Sequence, residues 1–248
     1  LEKLKILDLF SGIGGFSLGL ENTGGFVTVA FCENEEKARK VLRKNWPETL
    51  IHNDVKELDG TQYKGIDIIC GGYPCQGHSV SGKRKGLEDD RSGLWKEFIR
   101  IIREAKPKYV LIENSPNLRK TGLEEVLSDL SEEFHCIEGN NFRASDVGLP
   151  HKRERLYLLA HSNKEFGKRE SIEQILQVEK LQEQLQRISQ RWPRRCDLPT
   201  PRTYRGGNGV SLQMDRVRQL GNAVVPKIPE LIGEQILIRR NNIIKKDE

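Results

Sequence analysis

The chain has 248 residues, enough for one sizeable hydrophobic core with at most a small appendage. Charged residues make up 31% and aromatics 6%, which excludes a disordered chain, and no apolar run approaches the roughly 20 residues that cross a bilayer. A formal net charge of +5 permits a polyanionic partner without requiring one; five cysteines, an odd count with no Cys-x-x-Cys pair and no secretory leader, point to a reducing, cytoplasmic setting.

Short apolar strands alternate with helical patterns over the first two thirds. Leu4–Phe10 reads as a buried strand that runs through a glycine-rich turn into a helix. Phe26–Glu33 reads as a second strand, followed by a helix near Asn34–Asn45, and a further strand is expected near Leu50–His52. Ile66–Gly72, Tyr109–Asn114 and Arg155–Ala160 are the next strands, with helices near Ser92–Glu104 and Gly122–Glu132 between them. Such alternation predicts an α/β fold with a Rossmann-like, mostly parallel sheet covered on both faces. Beyond His161 the strand signal stops: Ile172, Ile175, Leu176, Leu181, Leu185 and Ile188 fall at near-helical spacing, Cys196–Val210 is rich in Pro and Gly, and Pro226–Arg240 reads as a terminal helix.

Three features suggest chemistry. In "DLFSGIGGFSLGL" (Asp8–Leu20), Gly12, Gly14 and Gly15 allow a tight turn and close backbone approach to a ligand. No Gly-Lys-Ser/Thr follows, so this is no P-loop; dinucleotide binding, adenosyl-methionine binding and plain packing each remain open. Glu33 ends the second strand, where an acid can accept ribose hydroxyls, and Asp54 stands at a plausible strand end. Thirdly, "CGGYPCQGHS" (Cys70–Ser79) puts Cys75 in a polar loop after a strand that should neighbour the first one. Ligands in open α/β sheets bind beyond the carboxyl ends of the strands, so Cys75 should face the same crevice as Glu33. A metal reading of this loop is weak, because His78 has no second Cys/His pair at ligand spacing.

The sequence resembles the cytosine-5 DNA methyltransferases of the bacterial and phage type. "DLFSGIGGF" is similar to the family's first motif, and "GGYPCQGHSVSGKRKGLEDDRSGL" (Gly71–Leu94) to its catalytic loop. "ENSPNL" (Glu113–Leu118) resembles its Glu-Asn-Val element, "PHKRERLYLLA" (Pro150–Ala160) its Gln-x-Arg-x-Arg strand, and "LGNAVVP" (Leu220–Pro226) its last cofactor motif. The five blocks stand in the family's order.

The resemblance implies a Rossmann-like methyltransferase domain formed by residues 1–162 and 211–248, with 163–210 as a reduced target-recognition region. It implies transfer of a methyl group from S-adenosyl-L-methionine, without a metal, to carbon 5 of cytosine in double-stranded DNA. Cys75 would be the nucleophile that adds to carbon 6, Glu113 the acid at ring nitrogen 3, and Arg155 the partner of the base's carbonyl oxygen. Arg153 and Arg155 flank Glu154, so on a strand they share a face, and Arg153 would orient the loop, the acid or a phosphate. Phe10, Gly12 and Gly14 would line the cofactor's path, Glu33 would bind its ribose, and Asn34 and Asp54 its adenine. Pro74, Leu94 and Asn222 would close the pocket. The target base must leave the helical stack to be reached. The Ser79–Arg91 loop, with Ser81, Lys83, Arg84, Lys85 and Arg91, suits a lid whose cations meet phosphates; a solvated basic run is the plain alternative. Arg191, Arg194 and Arg195, beside Trp192, suit DNA contact in the recognition region, and a helical appendage covering the sheet would suit the same residues. A monomer is expected, and a restriction endonuclease is an allowed companion.

The sequence departs from the family's pattern at His78, Ser115 and His151, which alter loop packing rather than reacting groups. Two other readings stay open. One is the same chemistry on a tRNA, although the Cys-Phe-Thr signature of that branch is missing; the other is an inactive DNA-binding relative, against which Cys75, Glu113 and Arg155 argue.

Overall fold

A computed structural model of the chain describes residues 1–74, 92–149, 151–161 and 223–247. Seven strands form one sheet: β1 (Leu4–Leu9), β2 (Phe26–Cys32), β3 (Leu50–His52), β4 (Ile68–Gly71), β5 (Tyr109–Asn114), β6 (Cys136–Arg143) and β7 (Glu154–His161). Their spatial order is β3-β2-β1-β4-β5-β7-β6. The first five run parallel, and β7 is antiparallel to both of its neighbours. The helices are α1 (Gly15–Asn22), α2 (Glu36–Asn45), α3 (Ser92–Ala105), α4 (Leu118–Thr121), α5 (Leu123–Glu133) and α6 (Lys227–Asp247).

The central strands are buried on both faces, so they read as near-continuous apolar runs. Successive residues nevertheless divide between two cores. Leu7, Leu9, Ile69, Val110 and Leu158 pack with Trp95, Phe98 and Ile102 of α3 and with Leu130 of α5. Ile6, Ile68, Leu111 and Leu159 pack with Phe16 and Leu20 of α1 and with Ile228 and Ile232 of α6. Helix α6 crosses α1 closely at Gly19, where a Cβ would come within 2.1 Å of the Pro226 carbonyl oxygen. That approach brings Ala223 and Val224, which precede α6, to the carboxyl end of β1. Chain order reverses between β1 and β4, so a crevice opens there between α1 on one face and α3 on the other.

All the expected strands among the described residues are present, with ends shifted by at most two residues. Strand β6 had no expectation. The stretches 163–210 and 211–222 lie outside the described residues, as does the helical pattern read in the former.

The glycine-rich turn depends on a buried acid. Helix α1 starts at Gly14 with no side-chain cap of its own. Asp8, fully buried in β1, supplies one: its Oδ2 accepts from the Ser17 backbone N–H at 3.3 Å and from Ser17 Oγ at 2.8 Å. Ser11 Oγ donates to the Asp8 carbonyl at 2.6 Å, which ties the turn to the same residue. Burial pushes the Asp8 carboxyl up to about 8, with the Ser17 hydrogen bonds pulling the other way. An unfolded aspartate ionises near pH ~4, so above that pH the native state holds a proton that the unfolded chain has lost. This residue's contribution to stability is therefore fully present below about pH 4 and gone once the pH passes about 8. Urea-unfolding midpoints measured across that window should fall more steeply for wild type than for Asp8→Asn; parallel profiles would contradict the assignment.

Candidate active site

The carboxyl ends of β1, β2, β4 and β5, the segment entering β7 and the residues before α6 surround one cavity of about 460 Å³. Phe10, Gly12, Glu33, Asn34, Asp54, Pro74, Leu94, Glu113, Arg153 and Arg155 all line it. Ten residues singled out in the sequence, spread over more than 140 positions, thus share one space. Gly14 is placed differently: it sits at φ 85 at the start of α1, against the Trp46 ring, and does not line the cavity. Cys75, Asn222, Ser79, Ser81, Lys83, Arg84, Lys85, Arg91, Arg191, Arg194 and Arg195 lie outside the described residues. Two of them adjoin the cavity in sequence: Pro74 lines it and precedes Cys75, and Ala223 lines it and follows Asn222.

One half of the cavity has the donor set of a nucleoside site. Glu33 is buried at the end of β2; its Oε2 accepts from Gly12 N–H and its Oε1 from Glu35 N–H, each at 2.7 Å. A carboxylate has about four lone-pair sites, so two hydrogen bonds hold Glu33 in place and leave capacity for ribose hydroxyls. Gly12 has φ +54 and open space where a Cβ would stand, which leaves its backbone bare on the cavity side. Arg39 Nη1 donates to the carbonyls of Glu33 and Asn34, at 2.9 and 2.6 Å, and fixes the loop that carries both. Asp54 Oδ1 accepts from Lys56 N–H at 2.9 Å. Phe10 is held at φ 52, in the left-handed region that non-glycine residues avoid, and stacks on Phe98 with ring centroids 6.0 Å apart. An acid, bare backbone and a flat apolar wall fit the nucleoside part of S-adenosyl-L-methionine.

The other half is an acid between two cations. Glu113 is the penultimate residue of β5 and is 8% exposed. Its Oε1 lies 2.9 Å from Arg155 Nε and 3.8 Å from Arg153 Nη2. Burial lifts the Glu113 carboxyl above the usual carboxylate range, and the charges of Arg155 and then Arg153 offset part of that rise. Arg153 is itself held below its ordinary value by burial and by the neighbouring Arg155. Its Nη1 also donates to the Ala223 carbonyl oxygen. The sequence left three duties open for Arg153; the structure places it on the acid and on the segment before α6.

Two positioning residues were not singled out in advance. Asn114 Nδ2 donates to the Tyr73 carbonyl at 3.2 Å, so the residue after the acid holds the backbone just ahead of Pro74 and Cys75. Tyr73 is supported from behind by Trp95 and Phe98, at 5.4 and 6.2 Å between ring centroids. Arg39 was also missed, although its i,i+3 pairing with Glu36 is readable on a helix pattern.

Comparison with known proteins agrees with this geometry. The family model described as C-5 cytosine-specific DNA methylase matches residues 4–193. Among curated proteins, the chain is 37% identical over 167 residues to the Type II methyltransferase M.HhaI of Haemophilus parahaemolyticus, covering 66% of this chain and 50% of that protein. It is 36% identical over 169 residues to the Type II methyltransferase M1.ScrFI of Lactococcus lactis, covering 66% and 43%. The chain thus spans about half the length of the curated relatives it matches. Among solved structures, a Spodoptera frugiperda DNMT2 superposes with a TM-score of 0.58 at 28% identity, over 68% of this chain and 54% of that one.

The two halves of the cavity should separate experimentally. Glu33→Ala removes the group that holds Gly12 and has lone pairs free for ribose hydroxyls, and should weaken S-adenosyl-L-methionine binding about 10–100-fold by calorimetry. Glu113→Gln should change that affinity less than about 3-fold. Equal losses in the two variants would contradict the division.

Proposed function

The chain belongs to the C-5 cytosine-specific DNA methylase family, and on that premise we propose that it is a DNA (cytosine-5-)-methyltransferase that uses S-adenosyl-L-methionine and a covalent Cys75 adduct on a flipped-out cytosine. The observation that carries the reading is the buried Glu113 held by Arg155 in a cavity also lined by Glu33 and by Pro74, the residue before Cys75.

Carbon 5 of cytosine is a weak nucleophile while the ring is aromatic. Addition of the Cys75 thiolate at carbon 6 breaks that aromaticity and makes carbon 5 enamine-like. The bound cofactor supplies an electrophilic methyl group on sulfur. Water then takes the carbon 5 proton, the carbon 5–carbon 6 double bond re-forms as the thiolate leaves, and ring nitrogen 3 returns its proton to Glu113. The addition needs a proton, or a hydrogen bond, at ring nitrogen 3, and Glu113 suits that duty because burial already favours its protonated form.

Arg155 makes this duty conditional on substrate. With the site vacant its charge offsets the burial of Glu113. A cytosine carbonyl that draws the guanidinium away leaves burial opposed only by the more distant Arg153, so the carboxyl gains affinity for a proton as the base arrives. Asn114 and the aromatic group behind Tyr73 fix the backbone that leads into Cys75. Double-stranded DNA is the proposed substrate, since the cavity opens at the end of the sheet and the basic residues after Cys75, from Lys83 to Arg91, would adjoin it in sequence. A restriction endonuclease companion is consistent with the Type II relatives.

Duplex DNA carrying 5-fluorocytosine should trap the enzyme, because a fluorine at carbon 5 cannot leave as a proton. A stable protein–DNA adduct is expected with cofactor present, absent for Cys75→Ser and formed about 10²–10⁴-fold more slowly by Glu113→Gln. Adduct formation by Cys75→Ser, or trapping with tRNA carrying the same base but not with duplex DNA, would overturn the proposal.

A further inference from the structure

The outer edge of the sheet holds a second cluster, away from the cavity. Cys136 opens β6 and His161 closes β7, and the two are register partners across the antiparallel pair. Glu138 follows Cys136 by two residues, so it shares that face of the sheet. Two ligand types at i and i+2 on one strand, and a third directly across on the next, converge without help from any loop.

Glu138 Oε1 lies 3.5 Å from His161 Nε2 and 3.6 Å from Cys136 Sγ. The three candidate donor atoms all fall within 4.8 Å of one another. A tetrahedral zinc with bonds of ~2.0 Å to nitrogen or oxygen and ~2.3 Å to sulfur sets its ligand atoms about 3.3–3.6 Å apart, which the two measured separations match. Glu138 and His161 are buried, while Cys136 is partly exposed and gives an ion a way in. Glu138 Oε2 is buried and has no hydrogen-bond partner among the described residues, an unusual state for a carboxylate oxygen.

Arg239 of α6 reaches Glu138 Oε1 at 3.3 Å and balances one negative charge. A thiolate at Cys136 would add a second, which a divalent ion would neutralise. Thiolate is the form of cysteine that ligates zinc, so binding would release the Cys136 proton.

We propose that Cys136, Glu138 and His161 form a zinc-binding site, with three protein ligands and water in the fourth position. The sequence reading expected no metal, because it looked for paired Cys/His spacing around Cys75; here the ligands come from two strands and are brought together by β6–β7 pairing. The ion would clasp the edge hairpin at the point where the chain enters β6 and leaves β7 for residues 162 onward. It has no part in methyl transfer.

The full chain, stripped with a chelator and titrated with cobalt(II), should bind one equivalent with tetrahedral visible bands and a thiolate charge-transfer band. Cys136→Ser should lose the charge-transfer band, and Glu138→Gln should bind about 10-fold or more weakly. Zinc should raise the melting temperature of wild type and leave that of Cys136→Ser unchanged. A measurement without any variant keeps the test independent of folding: in wild type, zinc should protect Cys136 from iodoacetamide, read by mass spectrometry. No binding at one equivalent, a charge-transfer band that survives in Cys136→Ser, or alkylation of Cys136 unchanged by zinc would each overturn the site.

Discussion

The candidate site depends on one buried carboxylate and the two guanidiniums beside it. Glu113 brings burial, Arg155 brings the opposing charge at 2.9 Å, and Arg153 stands further off at 3.8 Å. A carboxylate cannot be buried alone at neutral pH without losing its charge, so its proton affinity is set by how closely the arginines approach. The same group joins three separated parts of the chain. Glu113 lies next to the end of β5, Arg155 lies in β7, and Arg153 reaches Ala223 just before α6. A displacement of any of these segments would be felt at the acid.

The opposite half of the cavity uses backbone where this half uses charge. Glu33 is held by two N–H groups, and Asp8 reaches from β1 to cap α1 beneath the glycine-rich turn. Both acids therefore act by positioning main chain. Phe10 stands between this frame and the aromatic group of Phe98, Trp95 and Tyr73, so the wall of the nucleoside half and the support beneath Pro74 are one packed unit. Binding in one half and backbone placement in the other are thus mechanically connected through side chains in direct contact.

Much of this was readable in advance, for stated reasons. Largely buried parallel strands give near-continuous apolar runs, and β1, β2, β4 and β5 could be placed from "LKILDL", "FVTVAFC", "IICG" and "YVLIEN". Residues such as Glu33, Glu113 and Pro74 stand directly at or after those strand ends, so strand placement carried the site with it. Strand β6, "CIEGNNFR", was not legible: Gly139, Asn140 and Asn141 disfavour strands, and within it only Glu138 and Phe142 are buried. Missing β6 also hid the cluster of Cys136, Glu138 and His161, whose members meet only once β6 pairs with β7. The contact of Arg153 with Ala223 and that of Asn114 with Tyr73 depend on the three-dimensional meeting of segments 70 and 41 residues apart, which no local pattern records.

The central claim is that Arg155 governs the proton on Glu113. Carbon-13 NMR of labelled glutamate carboxyls, with Glu113→Gln to assign the resonance, measures that proton directly. The Glu113 carboxyl is expected to titrate above the usual carboxylate range in wild type and higher still in Arg155→Ala, where burial acts without its main offset. A titration that is unchanged or lowered on removal of Arg155 would contradict the account.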